Sequence, residues 1–278
     1  MKHIFLNLKR FDIPCNYNGV NKIADIKDWA DYIVTQTQEK LEQYKSQDVE
    51  FTAYFPEAHL ISALKAKKTN SAIEIGCQSI YREDTKKGGN FGAFTTNRTA
   101  SAVKAIGCSS TIIGHCEERK DKAGILSEAG VVDYDAVNRI LNQEIRQAVN
   151  AGLKVLYCIG EKEEEQENWQ EVLRKQLEIG LLEIDTSKVV IAYEPVWAIG
   201  PGKTPPDADY IKKIAIFIKE VTGGLDVVYG GGLKEENAKM LAEIKEVDGG
   251  LIALTRFNGD IGFYPEEYLT IIKTYLSE

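Results

Sequence analysis

Residues 154–193 read KVLYCIGEKEEEQENWQEVLRKQLEIGLLEIDTSKVVIAY. The stretch opens and closes on short apolar runs, Lys154–Ile159 and Val189–Tyr193, and between them Trp169–Leu182 carries apolar residues at helical spacing. Both short runs are continuous rather than alternating, as expected of strands covered on both faces. The stretch therefore predicts a strand, a helix and a second strand. The acidic run Glu161–Glu167 reads as a solvated loop and helix start.

The same rhythm extends in both directions. Further strands are predicted at His3–Leu8, Val49–Phe55, Ala72–Cys77, Ser110–Gly114, Asp226–Tyr229 and Gly250–Leu254. Further helical patterns are clearest at Ile26–Tyr44, Tyr134–Ala151, Asp209–Val221, Lys234–Ile244 and Pro265–Leu276. Asp207 and Asp209 are candidate N-caps, and Gly152 and Gly223 candidate helix stops. Eight strands alternating with about eight helices is the count of a (β/α)8 barrel, expected here as a single α/β domain over residues 1–278. A doubly wound open sheet is the competitor that periodicity leaves standing.

Composition narrows the function classes. Apolar residues make up 44% and charged residues 27%, which suits a chain with a real core and excludes a disordered one. No apolar run approaches the ~20 residues of a membrane span, so no membrane insertion is expected. The start, MKHIFLNLKRFD, has no long apolar h-region and no small-residue cleavage site, which argues against export. A net charge of -8 argues against a general affinity for nucleic acid. It leaves a small anionic substrate open, because a local cluster of donors holds phosphate inside an acidic protein. The cysteines, Cys15, Cys77, Cys108, Cys116 and Cys158, are odd in number and form no CxxC pair. That gives little support to a disulfide framework or structural zinc site; reduced thiols in a cytoplasm fit best.

In such a barrel, reactive groups sit at the carboxyl ends of strands and in the loops that follow. Strand one ends in Asn7-Leu8-Lys9, whose alternation aims Asn7 and Lys9 the same way. Strand four ends in Gly114-His115-Cys116-Glu117, strand six in Tyr193-Glu194-Pro195, and strand seven in Tyr229-Gly230-Gly231-Gly232. A lysine, a histidine, a glutamate and a glycine-rich turn would thus converge on one mouth. These groups suit proton shuttling beside a carbonyl: glutamate takes a proton from carbon, histidine polarises oxygen, lysine supports the enediolate, and glycine amides hold an anion. Singly, each has a plainer reading, as a buried histidine, a strand-end ion pair, a surface cation or a turn. His3 and His59 lack this setting and read as structural. After Glu194, residues 195–204 (PVWAIGPGKT) place a bulky apolar hinge before a glycine-flanked tip. Such a loop closes as a lid that excludes water, with the amide of Gly200 or Gly202 as a donor to phosphate.

At these residues the chain resembles the triosephosphate isomerase family. The motifs are Asn7-x-Lys9, Gly92-Ala93-Phe94-Thr95, Gly114-His115-x-Glu117, Cys158-Ile159-Gly160-Glu161, the long block from Ala192 to Gly200, and Tyr229-Gly230-Gly231, all in the family's order. The resemblance implies Glu194 as the base, His115 as a neutral electrophile and Lys9 as the cation near the substrate oxygens; the glutamate base, neutral histidine and closing loop come from the family and not from this chain. It implies Asn7 as an orienting donor and Glu117 as the loop-four glutamate, with the adjacent Glu118 as the alternative. Gly200, Gly231 and Gly232 fall in the loops that grip phosphate. The implied substrates are dihydroxyacetone phosphate and glyceraldehyde 3-phosphate, with no metal or organic cofactor. The loop containing Thr95 would reach a neighbouring subunit, implying a homodimer.

The chain also departs from the family pattern. Gly232 stands where a serine is usual, and Ala253-Leu254 replace a Gly-Gly pair whose amides approach phosphate. Arg256, just beyond, is a candidate replacement cation. Pro201 replaces a threonine at the lid tip, Cys116 and Glu118 replace serine and arginine, and Thr96-Asn97 replace Gly-Glu; residues 81–90 look lengthened. With the chemical half intact and the phosphate half altered, a tetrulose phosphate is the alternative substrate and a non-catalytic barrel the alternative class.

Overall fold

Val228 and Tyr229 pair with Gly249 and Gly250, and Gly249–Ile252 pair in turn with His3–Leu6, so the last strand returns to the first. That closure removes the open-sheet alternative. The computed structural model describes residues 1–200 and 203–277. Its elements run β1 (Lys2–Asn7), α1 (Trp29–Leu41), β2 (Val49–Phe55), α2 (Leu60–Ala66), β3 (Ile73–Gln78), α3 (Ala100–Ile106), β4 (Ser110–Ile113), α4 (Cys116–Glu128) and α5 (Tyr134–Asn150). They continue β5 (Lys154–Ile159), α6 (Trp169–Gly180), β6 (Val189–Tyr193), α7 (Ala208–Thr222), β7 (Val227–Tyr229), α8 (Glu235–Glu243), β8 (Gly249–Ile252) and α9 (Pro265–Leu276). All eight strands are parallel to their neighbours in the closed order β1 to β8.

Strand alternation separates two cores. Ile4 and Leu6 of β1, Val155, Tyr157 and Ile159 of β5, and Ile191 and Tyr193 of β6 pack outward in the large core shared with the helices. Phe5, Tyr54, Ile112, Leu156, Cys158, Ala192, Val228 and Leu251 form a second cluster inside the barrel. Two residues beyond Phe5 and Ala192, the same parity turns Asn7 and Glu194 toward the interior rim. The barrel thereby fixes the direction of the reactive groups.

The helices form where apolar spacing and caps coincide. Asp207 caps α7 by accepting the N–H of Tyr210, and Gly223 ends it at φ 74°. Asp209, the other candidate cap, lies within the first turn of the same helix. Helices α2, α3 and α4 add to the clearest sequence patterns. No residue of α4 is fully buried, so it lacks the apolar stripe by which periodicity detects a helix. Strands β4 and β8 end at Ile113 and Ile252, short of the expected Gly114 and Leu254.

One expectation is corrected. Glu161, at the start of the acidic run, is fully buried rather than solvated, because three donors from neighbouring elements converge on its carboxylate.

Candidate active site

Glu194 follows β6 and is 2% exposed. Its Oε2 accepts the backbone N–H of Cys116 at 2.9 Å, and its Oε1 lies 3.3 Å from Nε2 of His115. His115 sits at the N-cap of α4, where Nδ1 accepts the Glu117 N–H at 3.3 Å. An Nδ1 that accepts leaves the ring proton on Nε2, so Nε2 is the donor that faces Glu194.

Two polar residues of α4 hold the histidine turn from behind. Glu118 accepts the Gly114 N–H at 2.7 Å, the Ser79 hydroxyl at 2.5 Å and the Lys122 ammonium at 2.9 Å. These charged and neutral donors hold its carboxyl below the usual range despite burial. Arg119 donates to the carbonyls of Gly114 and Cys158 and to Asn138. Lys122 is shared between Glu118 and Glu144, 3.0 Å away. Burial, with the Glu118 charge beside it, pushes Glu144 up to about 9.

At the rim, Lys9 has φ 41°, an uncommon conformation for a residue with a side chain. It is fixed from two sides: Lys9 N–H donates to Asn7 Oδ1 at 3.1 Å, and Gln78 Nε2 donates to the Lys9 carbonyl at 3.2 Å. Asn7, Lys9, Gln78, His115 and Glu117 line one open cavity of about 790 Å³. Glu117 is exposed, and its carboxylate makes no hydrogen bond or ion pair among the described residues. Glu118, which also lines this cavity, turns its carboxylate into the supporting network, whereas the Glu117 carboxylate is left open to solvent.

The lid base is tied down at Glu161. Its Oε1 accepts from Trp197 Nε1 at 2.7 Å, Tyr193 OH at 2.8 Å and Tyr210 OH at 3.2 Å, while Oε2 is buried with no hydrogen-bond partner among the described residues. Burial raises its carboxyl against those stabilising donors. Gly200 is exposed at φ 122°. Pro201, which replaces a threonine, and Gly202, an alternative donor to phosphate, lie outside the described residues.

The glycine turn after β7 abuts the base. A Cβ at Gly230 would stand 2.9 Å from Glu194 Cγ and 2.8 Å from the Tyr193 carbonyl oxygen, so only glycine leaves Glu194 its position. Gly231 would meet Pro195 at 2.9 Å in the same way. Gly232 has φ 103°, where a serine would be strained, and its open side faces Cε of Lys234 at 3.6 Å. Arg256 stands apart from this group. Its guanidinium pairs with Glu267 of α9 at 2.5 and 2.7 Å and lies over the Tyr264 ring at 3.8 Å.

The structure thus brings Glu194 and His115 into contact, sets Asn7, Lys9, His115 and Glu117 around one cavity, and puts the Gly230–Gly232 turn against Glu194. Sequence reasoning passed over Gln78, Arg119 and Lys234. Gln78 follows the predicted third strand, so the strand-end filter could have found it. Arg119 and Lys234 carry no signal beyond proximity to a motif.

The sequence model of one family, triosephosphate isomerase, matches residues 21–273. The triosephosphate isomerase of Geobacter metallireducens is 31% identical over 261 residues, covering 89% of this chain and 94% of that protein. That of Pelodictyon phaeoclathratiforme is 38% identical over 202 residues, covering 68% of this chain and 73% of its own. A solved structure of triosephosphate isomerase from Bartonella henselae superimposes with a TM-score of 0.73 at 23% identity, covering 99% of both chains, which is a likeness of fold.

Proposed function

The chain belongs to the triosephosphate isomerase family, and from that premise we propose how its own side chains carry the reaction. It is an aldose–ketose isomerase of that type, interconverting dihydroxyacetone phosphate and D-glyceraldehyde 3-phosphate. Glu194 removes a proton from the carbon beside the carbonyl and returns it to the neighbouring carbon. His115 donates its Nε2 proton to the carbonyl oxygen and takes back the proton of the neighbouring hydroxyl as the new carbonyl forms, while Lys9 stabilises the negative charge of the enediolate. Asn7 orients the oxygens, and Glu117 lines the same wall. A carboxylate and an imidazole suffice for this transfer, so the proposal invokes no cofactor. The observation that carries it is the 3.3 Å approach of Glu194 Oε1 to His115 Nε2. Two groups from the ends of β6 and β4 are thereby poised to act on one molecule.

For phosphate, the amides of Gly231 and Gly232 and, from the lid, Gly200 supply donors, with Lys234 beside Gly232 as the cation. This assigns Lys234 the part expected of Arg256, whose charge is already met by Glu267. A homodimer is part of the same reading: Phe91, on the loop before Thr95, is 83% exposed and would be covered by a second copy. Five free thiols suit a cytoplasm. Among the described residues, no helix is long and apolar enough to cross a membrane.

A coupled assay on the purified chain with triose and tetrose phosphates tests the reading. Turnover of the two triose phosphates is expected; a folded protein that turns over none of the panel overturns it.

A further inference from the structure

We propose that the cluster His115, Cys116 and Glu194 is also a binding site for a thiophilic divalent cation of the zinc class, which inhibits the isomerase when bound. One donor atom from each residue lies within 4.8 Å of the others. Glu194 Oε1 and His115 Nε2 are 3.3 Å apart. Two ligands at the usual zinc–nitrogen and zinc–oxygen lengths, held at a tetrahedral angle, stand about 3.4 Å apart. Cys116 Sγ is 3.9 Å from both ring nitrogens. The corresponding sulfur–nitrogen separation around zinc is about 3.6 Å, so binding draws the thiol in toward both the imidazole and the carboxylate, from a spread that is within 4.8 Å before the ion arrives.

The donor types select the ion. Thiolate with imidazole suits zinc or cobalt, whereas magnesium and calcium require all-oxygen shells. Three protein ligands leave a fourth position, and Lys9, His115, Cys116 and Glu117 share an open cavity from which water can fill it. Thiolate and carboxylate together neutralise a divalent charge. In the ion-free site burial and the Glu194 charge push the Cys116 thiol up to about 12, with Lys9 acting the other way, so the ion itself must hold the thiolate; the Lys9 cation is the charge that opposes the ion. On binding, the thiol proton leaves to solvent. The Nε2 proton passes to Nδ1, which gives up the 3.3 Å bond from the Glu117 N–H. One proton is released per ion, with no change of oxidation state. The ion occupies the base and the electrophile at once, so it acts as an inhibitor and not as a cofactor.

This site goes beyond the isomerase reading, and its first test does not use that activity. The metal-free chain is titrated with Co²⁺ and then with Zn²⁺. Wild type and the Cys15→Ser control should each bind one ion, with a thiolate-to-cobalt absorption band. Cys116→Ser should lose the band and bind Zn²⁺ at least tenfold more weakly. Retention of band and affinity in Cys116→Ser, or their loss in Cys15→Ser, overturns the site. Should Cys116→Ser fail to fold, Glu194→Gln decides, since it must weaken Co²⁺ at least tenfold with the thiol in place; unchanged affinity overturns the site. Zn²⁺ should inhibit wild-type turnover competitively with substrate, and stoichiometric binding without inhibition overturns the inhibitory role. Turnover measured without metal reports on the isomerase reading separately.

Discussion

The carboxylate of Glu194 accepts the backbone N–H of Cys116 at 2.9 Å. Glu194, just past the end of β6, is thereby held on the first turn of α4, beside the His115 imidazole. On the proposed mechanism the carboxylate gives up that amide to reach a substrate C–H, with Gly230 close against its Cγ.

Glu194→Gln keeps an oxygen to accept from Cys116 and the volume of the side chain, but has no basicity. Turnover should fall by about a thousandfold or more with the fold intact. Steady-state kinetics and circular dichroism check this; activity near wild type refutes the base assignment.

Gly230→Ala drives a methyl to 2.9 Å from Glu194 Cγ and 2.8 Å from a backbone oxygen, neither of which lies at the free end of a flexible chain. Displacing a catalytic group by a fraction of an ångström costs up to about a hundredfold. A kcat loss of about ten- to a hundredfold is expected, with a smaller change in KM. Unaltered kcat would mean that Glu194 tolerates the shift.

Lys234→Ala and Arg256→Ala separate the two candidate phosphate cations. Lys234 flanks the Gly232 turn, whereas Arg256 is bound to Glu267. Lys234→Ala should raise KM several-fold with less effect on kcat. Arg256→Ala should leave KM within about twofold and slightly lower the melting temperature. The reverse pattern restores Arg256 as the cation that holds phosphate.

Glu144 gives a pH signature. Burial, with the Glu118 charge beside it, pushes its carboxyl up to about 9, well above the ordinary carboxylate range near 4.5. Between those limits the folded state keeps a proton that the unfolded chain has lost, so this group's contribution is full below the lower value and declines as pH rises toward 9. Glu144→Gln is neutral throughout and removes the dependence. Chemical denaturation of the pair from pH 5 to 9 should show the variant gaining on wild type as pH rises. A constant difference would mean that Glu144 is ionised in the folded protein.

Several parts of this design were legible in the chain. Continuous apolar runs such as KVLYCI and VVIAY announce strands buried on both faces, because a side-chain period of two and coverage by helices leave no polar face to display. The same parity, counted from Phe5 and Ala192, turns Asn7 and Glu194 to the interior rim. Helix α4 escaped because its stability comes from Glu118 and Arg119 gripping the β4 turn, contacts with no period along the sequence. Charge runs mislead for a related reason. Glu161 belongs to an acidic stretch, yet Trp197, Tyr193 and Tyr210 supply the donors that make its burial tolerable, from positions 32 to 49 residues away.

The sequence by itself determined the order of the eight strands, the six helices that carry an apolar stripe, and which side chains reach the rim, since these follow from local spacing. Tertiary structure alone decided that Arg256 turns to Glu267, that Gly230 makes room for Glu194, and that the Glu194 carboxylate comes within 4.8 Å of both the His115 and Cys116 donor atoms. Such outcomes depend on which distant groups compete for the same charge or volume, and that competition exists only once the barrel has closed.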